Sequence, residues 1–152
     1  MALLSKACVY GLRASIYIAL HKSNKSFTTI SEVAKNLGLS PHFLTKILQQ
    51  LTQTSIMESY RGPNGGVKLK KNPDLIKLID IIISIDGDEL FESCALGLNG
   101  CGTYDPCPIH NQWSMQRSQL KILFETENLG QLAQNITDSN SDSRLVDMIM
   151  KD

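Results

Sequence analysis

Two helix starts separated by one glycine turn constrain this chain more than any other feature. Thr29-Ile30-Ser31-Glu32 has the form of a capping box, with the Thr29 hydroxyl accepting from the backbone and Glu32 reaching back three residues. The helix it opens runs to about Leu37, where Gly38 can supply the left-handed backbone that ends it. Ser40-Pro41 then starts a second helix, with Ser40 as N-cap and Pro41 at the first helical position. Its Phe43, Leu44, Ile47, Leu48 and Leu51 form an apolar stripe, and His42, Thr45, Lys46, Gln49 and Gln50 lie off it. Two short helices joined this way make a helix-turn-helix. Ile56–Tyr60 and Val67–Lys70 read as strands around the turn-rich Arg61-Gly62-Pro63-Asn64-Gly65-Gly66. A hairpin in that place is the wing of a winged helix. The fold class is therefore mainly α with a small β-hairpin.

The rest of the chain reads as further helices. Residues 3–22 carry Val9, Leu12, Ile16, Ala19 and Leu20 at helical spacing, and Ser23 to Ser26 is a polar break. Asn72-Pro73 repeats the cap-then-proline device and predicts a helix from about Asp74 to Ile85, with Leu75, Leu78, Ile79, Ile82 and Ile83 inward, ended by Asp86-Gly87. Residues 93–107 form a loop rich in Cys, Gly and Pro. Pro108 opens a long helix with Trp113, Leu120, Leu123 and Phe124 on its apolar side. Leu129, Leu132 and Ile136 suggest a short helix after Asn128, Thr137 to Ser143 a polar linker, and Leu145 to Met150 a short apolar tail. The organisation is a winged helix over 1–72, a linker helix, cysteine loop and long helix over 73–136, and a flexible C-terminal tail over 137–152.

The formal net charge is zero, but it is unevenly spread. Residues 1–80 hold eleven Lys or Arg against four Asp or Glu, a net of +7, and residues 81–152 the reverse, −7. A basic first half suits a polyanion partner. A recognition helix presents its N-terminal residues to base edges in the major groove; here these are Ser40, His42, Thr45 and Lys46. The wing would bring Arg61 and Lys68 to the backbone or minor groove, with Gly62, Gly65 and Gly66 permitting the tight turn and close approach. The competing reading is a winged helix used only for protein contacts, with those residues as a solvated face. No apolar stretch reaches the ~18 residues of a membrane span. Lys6 and Arg13 break up any secretory signal, so a cytoplasmic protein with no membrane partner is expected. No phosphate loop and no nucleophile-and-base set is visible, which argues against an enzyme.

Of four cysteines, three fall between positions 94 and 107, in the pattern Cys94-x6-Cys101-x5-Cys107-x2-His110. Cytosolic chains rarely build structural disulfides, so such a cluster points to metal or redox chemistry. Thiolates select zinc, copper(I) or iron–sulfur clusters. Clusters usually take four protein ligands, and His110 or Cys8 can complete the set. Each also has a plain role: Cys8 as a small buried hydrophobe, His110 as a helix-start residue bonded to water or backbone. Two rivals remain. One is a structural zinc site of three Cys and one His. The other is a metal-free thiol switch, with Cys107 favoured as thiolate just before a helix start.

Taken together, the chain resembles the Rrf-two family of winged-helix regulators, typified by IscR and NsrR. The likeness is carried by Leu4-Ser5-Lys6, Tyr10-Gly11-Leu12-Arg13, Ser40-Pro41-His42-Phe43-Leu44, the wing at 61–66, and the three-cysteine loop followed by Pro108-Ile109-His110-Asn111-Gln112-Trp113. The resemblance implies a homodimer, paired through the long helix, on a pseudo-palindromic operator in double-stranded DNA. It implies an iron–sulfur cluster in each loop, [2Fe–2S] by preference and [4Fe–4S] as the alternative, that senses cluster supply, nitric oxide or redox state. Most members repress transcription. Cys94, Cys101 and Cys107 match the family's cluster cysteines. Its fourth ligand is either a histidine just after the third cysteine, here His110, or a residue of the partner's first helix, at the position that here is Cys8.

Overall fold

Helix α1 (Lys6–Leu20) forms a hub against which the helices at 30–37, 41–53, 78–86 and 129–138 pack. The computed structural model describes residues 2–21, 27–138 and 147. The polar break at 23–26, the linker from 139 and the tail at 145–150, apart from Asp147, lie outside the described residues. Helix α1 starts later than its periodicity predicts because Ser5 caps it, its Oγ accepting from Cys8 N at 3.0 Å. Ser5 also donates to both carboxylate oxygens of Asp86, through its backbone N–H and its hydroxyl. Ser15, fully buried inside α1, is satisfied by donating to Gly11 O at 2.7 Å.

Helices α2 (Ile30–Leu37) and α3 (Pro41–Gln53) follow their local signals. Thr29 Oγ1 accepts from Glu32 N, Gly38 closes α2 in the left-handed region at φ 66°, and Ser40 Oγ accepts from Phe43 N. The Glu32 carboxylate accepts instead from the Tyr17 hydroxyl at 3.1 Å, so the box is drawn into a tertiary contact. On α3, Leu44, Ile47, Leu48 and Leu51 are buried, and Phe43 packs edge-on to Tyr10.

Strands β1 (Met57–Tyr60) and β2 (Gly66–Leu69) pair antiparallel, with Met57 opposite Leu69 and Tyr60 opposite Gly66. Thr28 adds to this hairpin, exchanging two 2.8 Å hydrogen bonds with Val67. That pairing ties the wing to the start of α2. It also explains Gly66, where φ is 149° and a Cβ would collide with the Thr28 carbonyl.

The predicted helix from Asp74 to Ile85 is corrected. Pro73–Leu75 makes one 3₁₀ turn, and α4 spans Leu78–Asp86. Between them Ile76 turns extended into the core, and the backbone at 76–78 bonds to 127–129 through Leu78 N to Glu127 O and Leu129 N to Ile76 O. Leu75 is consequently 68% exposed, Ile83 faces outward, and Ile81 and Ile82 are buried. A four-residue helix α5 (Glu89–Glu92) precedes the cysteine loop. The long helix α6 (His110–Thr126) starts two residues after Pro108, which makes His110 its first residue. Helix α7 (Leu129–Asp138) includes Thr137 and Asp138, assigned above to a linker.

Two clusters hold these parts. The larger joins α1, α2, α3 and the wing with Ile76, Ile81 and Leu129, so packing runs continuously across residue 72. The smaller gathers Cys8, Ile79, Ile82 and Phe91, with Leu120 and Phe124 of α6 against it. No α6 residue is buried, and Met115, Ile122 and Leu123 are exposed. Leu123 therefore leaves the inward face expected of it.

Candidate nucleic-acid interface and thiol centre

Helices α2 and α3 and the hairpin enclose a groove of roughly 540 Å³. Thr45, Gln49, Arg61, Gly65 and Gly66 lie on its walls, together with Ser31 of α2. Thr45 Oγ1 donates to Pro41 O, which leaves its methyl group and the acceptor side of its hydroxyl free for a partner. Ser40, His42 and Lys46 are exposed at the start of α3 outside this lining, and Ser40 Oγ is engaged as the cap. Gly62 sits in the turn at φ 136°. Lys68 is drawn to the hairpin's other face, where its Nζ lies 2.9 Å from Glu58 Oε1 and 4.8 Å from the Phe27 ring centroid. The groove thus gathers part of the expected set, while the cross-strand partner Glu58 offsets the charge of Lys68. Ser31 and Gln49 were not singled out beforehand. Gln49 was legible as an off-stripe residue one turn beyond Thr45, whereas Ser31 had no signal beyond its helix-start position.

The thiol centre forms where α5, the loop and α6 meet. The Sγ atoms of Cys94, Cys101 and Cys107 lie within 4.8 Å of one another. Cys94 and Cys107 sulfurs are 3.6 Å apart, Cys107 N donates to Cys101 Sγ at 3.3 Å, and Cys101 Sγ lies 3.3 Å from His110 Nδ1. Local turns bring this about, with Gly97 N donating to Cys94 O and His110 N to Cys107 O. Backbone N–H groups of Leu98 and Leu96 pull the Cys94 thiol down from 9.0 to about 7. Burial pushes the Cys107 thiol up, despite a backbone donor at Ile109. The order expected from helix position is thereby reversed: Cys94 is the acidic thiol.

Cys8 lies elsewhere, fully buried between α1 and α4 among Ile79, Ile82 and Phe91. Burial, then the neighbouring Asp86 carboxylate, pushes its thiol up to about 12. Three converging thiols, with an imidazole nitrogen beside one of them, offer a four-donor set. Such a set fits an iron–sulfur cluster or a tetrahedral zinc ion. Cys8 of the same protomer takes no part in it.

The fold is that of a winged-helix protein that also carries a thiol site between α5 and α6. The family model of Rrf2, described as an iron-dependent transcriptional regulator, matches residues 4–135. An HTH-type transcriptional regulator of Aquifex aeolicus (strain VF5) is 31% identical over 118 residues, covering 76% of this chain and 81% of that protein. The protein aau3 of Rhizobium meliloti (strain 1021) is 32% identical over 123 residues, covering 80% and 77%. Among solved structures, CymR, the global cysteine regulator of B. subtilis, is similar at 27% identity and TM-score 0.74, covering 89% of this chain and 98% of that one. IscR of T. potens has the same fold at 20% identity and TM-score 0.74, with 94% of each chain covered. This chain belongs to the Rrf2 family of transcriptional regulators. Its function is accordingly regulatory rather than enzymatic. No helix among the described residues is long and apolar enough to cross a membrane.

Proposed function

We propose that this chain is a cytoplasmic, homodimeric repressor whose operator affinity follows an iron–sulfur cluster held by Cys94, Cys101, Cys107 and His110. The observation that carries the reading is the convergence of three sulfurs within 4.8 Å with His110 Nδ1 3.3 Å from one of them. A [2Fe–2S] type is favoured because imidazole replaces thiolate in known centres of that type. When bound, the cluster supplies a centre sensitive to electron transfer, nitric oxide and iron supply. His110 is preferred to the partner's Cys8 as fourth donor, because a Cys8 thiol with no exposed surface has to leave the α1–α4 packing to reach another subunit.

The chain's own part is positional. Cys94 ties the loop to α5, and Cys107 and His110 tie it to α6. The outward apolar face of α6, with Met115, Ile122 and Leu123, supports pairing with a second copy. Helix α4 reaches the recognition helix α3 through Ile85, which packs at Gly11 beside Ile47. A change in how the loop packs is thereby communicated towards two recognition helices whose spacing the DNA dictates. Anaerobic purification with visible absorption, iron and sulfide assays tests the reading. Brown protein with bound iron and sulfide supports it, and colourless protein that stays so after reconstitution overturns it.

A second reading is a metal-free thiol switch. The 3.6 Å separation of Cys94 and Cys107, the acidity of Cys94 and the likeness to CymR favour it. With a peroxide, the Cys94 thiolate attacks oxygen to give a sulfenic acid and hydroxide. The Cys107 thiol then displaces water to form the disulfide. Reversible oxidation of protein free of iron distinguishes it.

A further inference from the structure

We propose that Trp113 and Arg117 are positioning residues that set the separation between the two halves of the thiol site. The proposal rests on the metal-holding role argued above. The donors come from two elements: Cys94 follows the end of α5, and Cys107 and His110 lie at the start of α6. The covalent link between them is a glycine-containing loop, which by itself holds no fixed distance.

A non-covalent link sits one residue from Cys94. Trp113 Nε1 donates to Ser93 O at 2.8 Å, and Arg117 Nη1 donates to the same carbonyl at 2.8 Å and to Glu92 O at 2.7 Å. These carbonyls close α5, where helix geometry leaves them without intrahelical donors. Positions 113 and 117 are one turn apart on α6, so both side chains project from the same face. The Ser93 carbonyl and the Cys94 nitrogen share one peptide plane. Two donors on that oxygen therefore fix the plane from which Cys94 departs. The guanidinium is drawn in to do this, and its Nε is buried with no partner among the described residues. Helix α5 is also moored by Phe91, buried with Cys8, Ile79 and Ile82 and edge-on to Phe124 of α6 at 6.1 Å between ring centroids. Held to α6 by these hydrogen bonds and this ring contact, α5 presents Cys94 to Cys107 and His110 before any metal arrives.

The test uses the reduced, metal-free full-length chain and cadmium ion, followed by thiolate absorption in competition with a chelator. Residues that orient metal ligands typically change affinity by about 10–100-fold when altered. Trp113→Phe and Arg117→Met are each expected to weaken cadmium binding on that scale while circular dichroism shows the fold intact. Arg117→Lys, which can still reach the carbonyls, should restore most of the affinity. Trp113→Phe changes no charge, so a loss there separates positioning from the attraction of a cation for thiolates. Cadmium affinity within about twofold of the unaltered chain in both Trp113→Phe and Arg117→Met overturns the proposal, being far below the change expected of ligand-orienting residues. An unaltered chain that binds cadmium but takes up no iron and sulfide overturns the cluster reading and leaves this comparison to be decided by its variants.

Discussion

The imidazole Nδ1 of His110 lies 3.3 Å from the sulfur of Cys101, at the first residue of α6. Cys8 is buried in a separate cluster. The two candidates for fourth donor therefore make opposite predictions. His110→Ala should lose most of the iron and sulfide retained after anaerobic purification, because removing one of four donors opens the site. Cys8→Ala should keep it and show only the modest loss of stability of a small core truncation, about 1 kcal/mol. Iron and sulfide per chain, measured on both variants, check this; iron lost in Cys8→Ala and kept in His110→Ala would assign the ligand to the first helix.

The thiols should differ sharply in acidity. Backbone donors at Leu98 and Leu96 bring Cys94 to about 7, and burial beside Asp86 takes Cys8 to about 12. In metal-free protein, alkylation of Cys94 should rise about tenfold per pH unit below neutrality and level off above pH 7, as its thiolate fraction saturates. Cys8 should stay unmodified until the chain unfolds. Mass mapping of iodoacetamide adducts across pH reads both. A Cys94 rate that keeps rising to pH 9 would contradict the assignment.

Signals contained within one turn were legible in the sequence, and those that depend on distant partners were not. Thr29, Gly38, Ser40 and Pro41 act on their own helix ends, and all four do so in the structure. Asn72-Pro73 carries the same signature, yet it yields a single 3₁₀ turn because Ile76 is pulled into the core and paired with Leu129. Glu32 left its capping role for Tyr17, fifteen residues back, and the charge of Lys68 is taken up by Glu58 on the facing strand. At the thiol site, cysteine spacing foretold the cluster of three, since a short loop must bring them near. Their acidities depended on which backbone N–H groups point at which sulfur. No spacing rule carries that information.

At Gly11, α1 meets Ile85 of α4 and Ile47 of α3. A Cβ there would run into Ile85 Cδ1 and come within 3.2 Å of Ile47 Cγ2. Gly11→Ala gains helix propensity of ~1 kcal/mol, but overpacking a filled core costs about 1–3 kcal/mol. The net expectation is destabilisation, or a displaced α4 with Ile85 turned away. Urea unfolding of Gly11→Ala beside Ile85→Ala and the double variant checks this. If Ile85 is the obstacle, the cost of Gly11→Ala should shrink in the Ile85→Ala background; an equal cost in both would place the strain elsewhere.

Arg61 and Lys68 should separate in their salt dependence on DNA. Arg61 is exposed, lies on the groove between α3 and the wing, and has no acidic partner within ion-pair distance among the described residues. Lys68 is already paired with Glu58. Each phosphate neutralised contributes about 0.9 to the slope of log affinity against log salt. Arg61→Ala should weaken binding nearly uniformly across sequences and lower the slope by about one. Lys68→Ala should change it by clearly less, since that charge is partly offset before DNA arrives. Gln49→Ala, removing a side chain that faces the groove from the recognition helix, should alter sequence preference while leaving the slope unchanged. Titrations of a selected operator and a scrambled duplex at several salt concentrations resolve the three; a larger slope change for Lys68→Ala than for Arg61→Ala would mean that the outer face of the hairpin, and not the groove, carries the backbone contact.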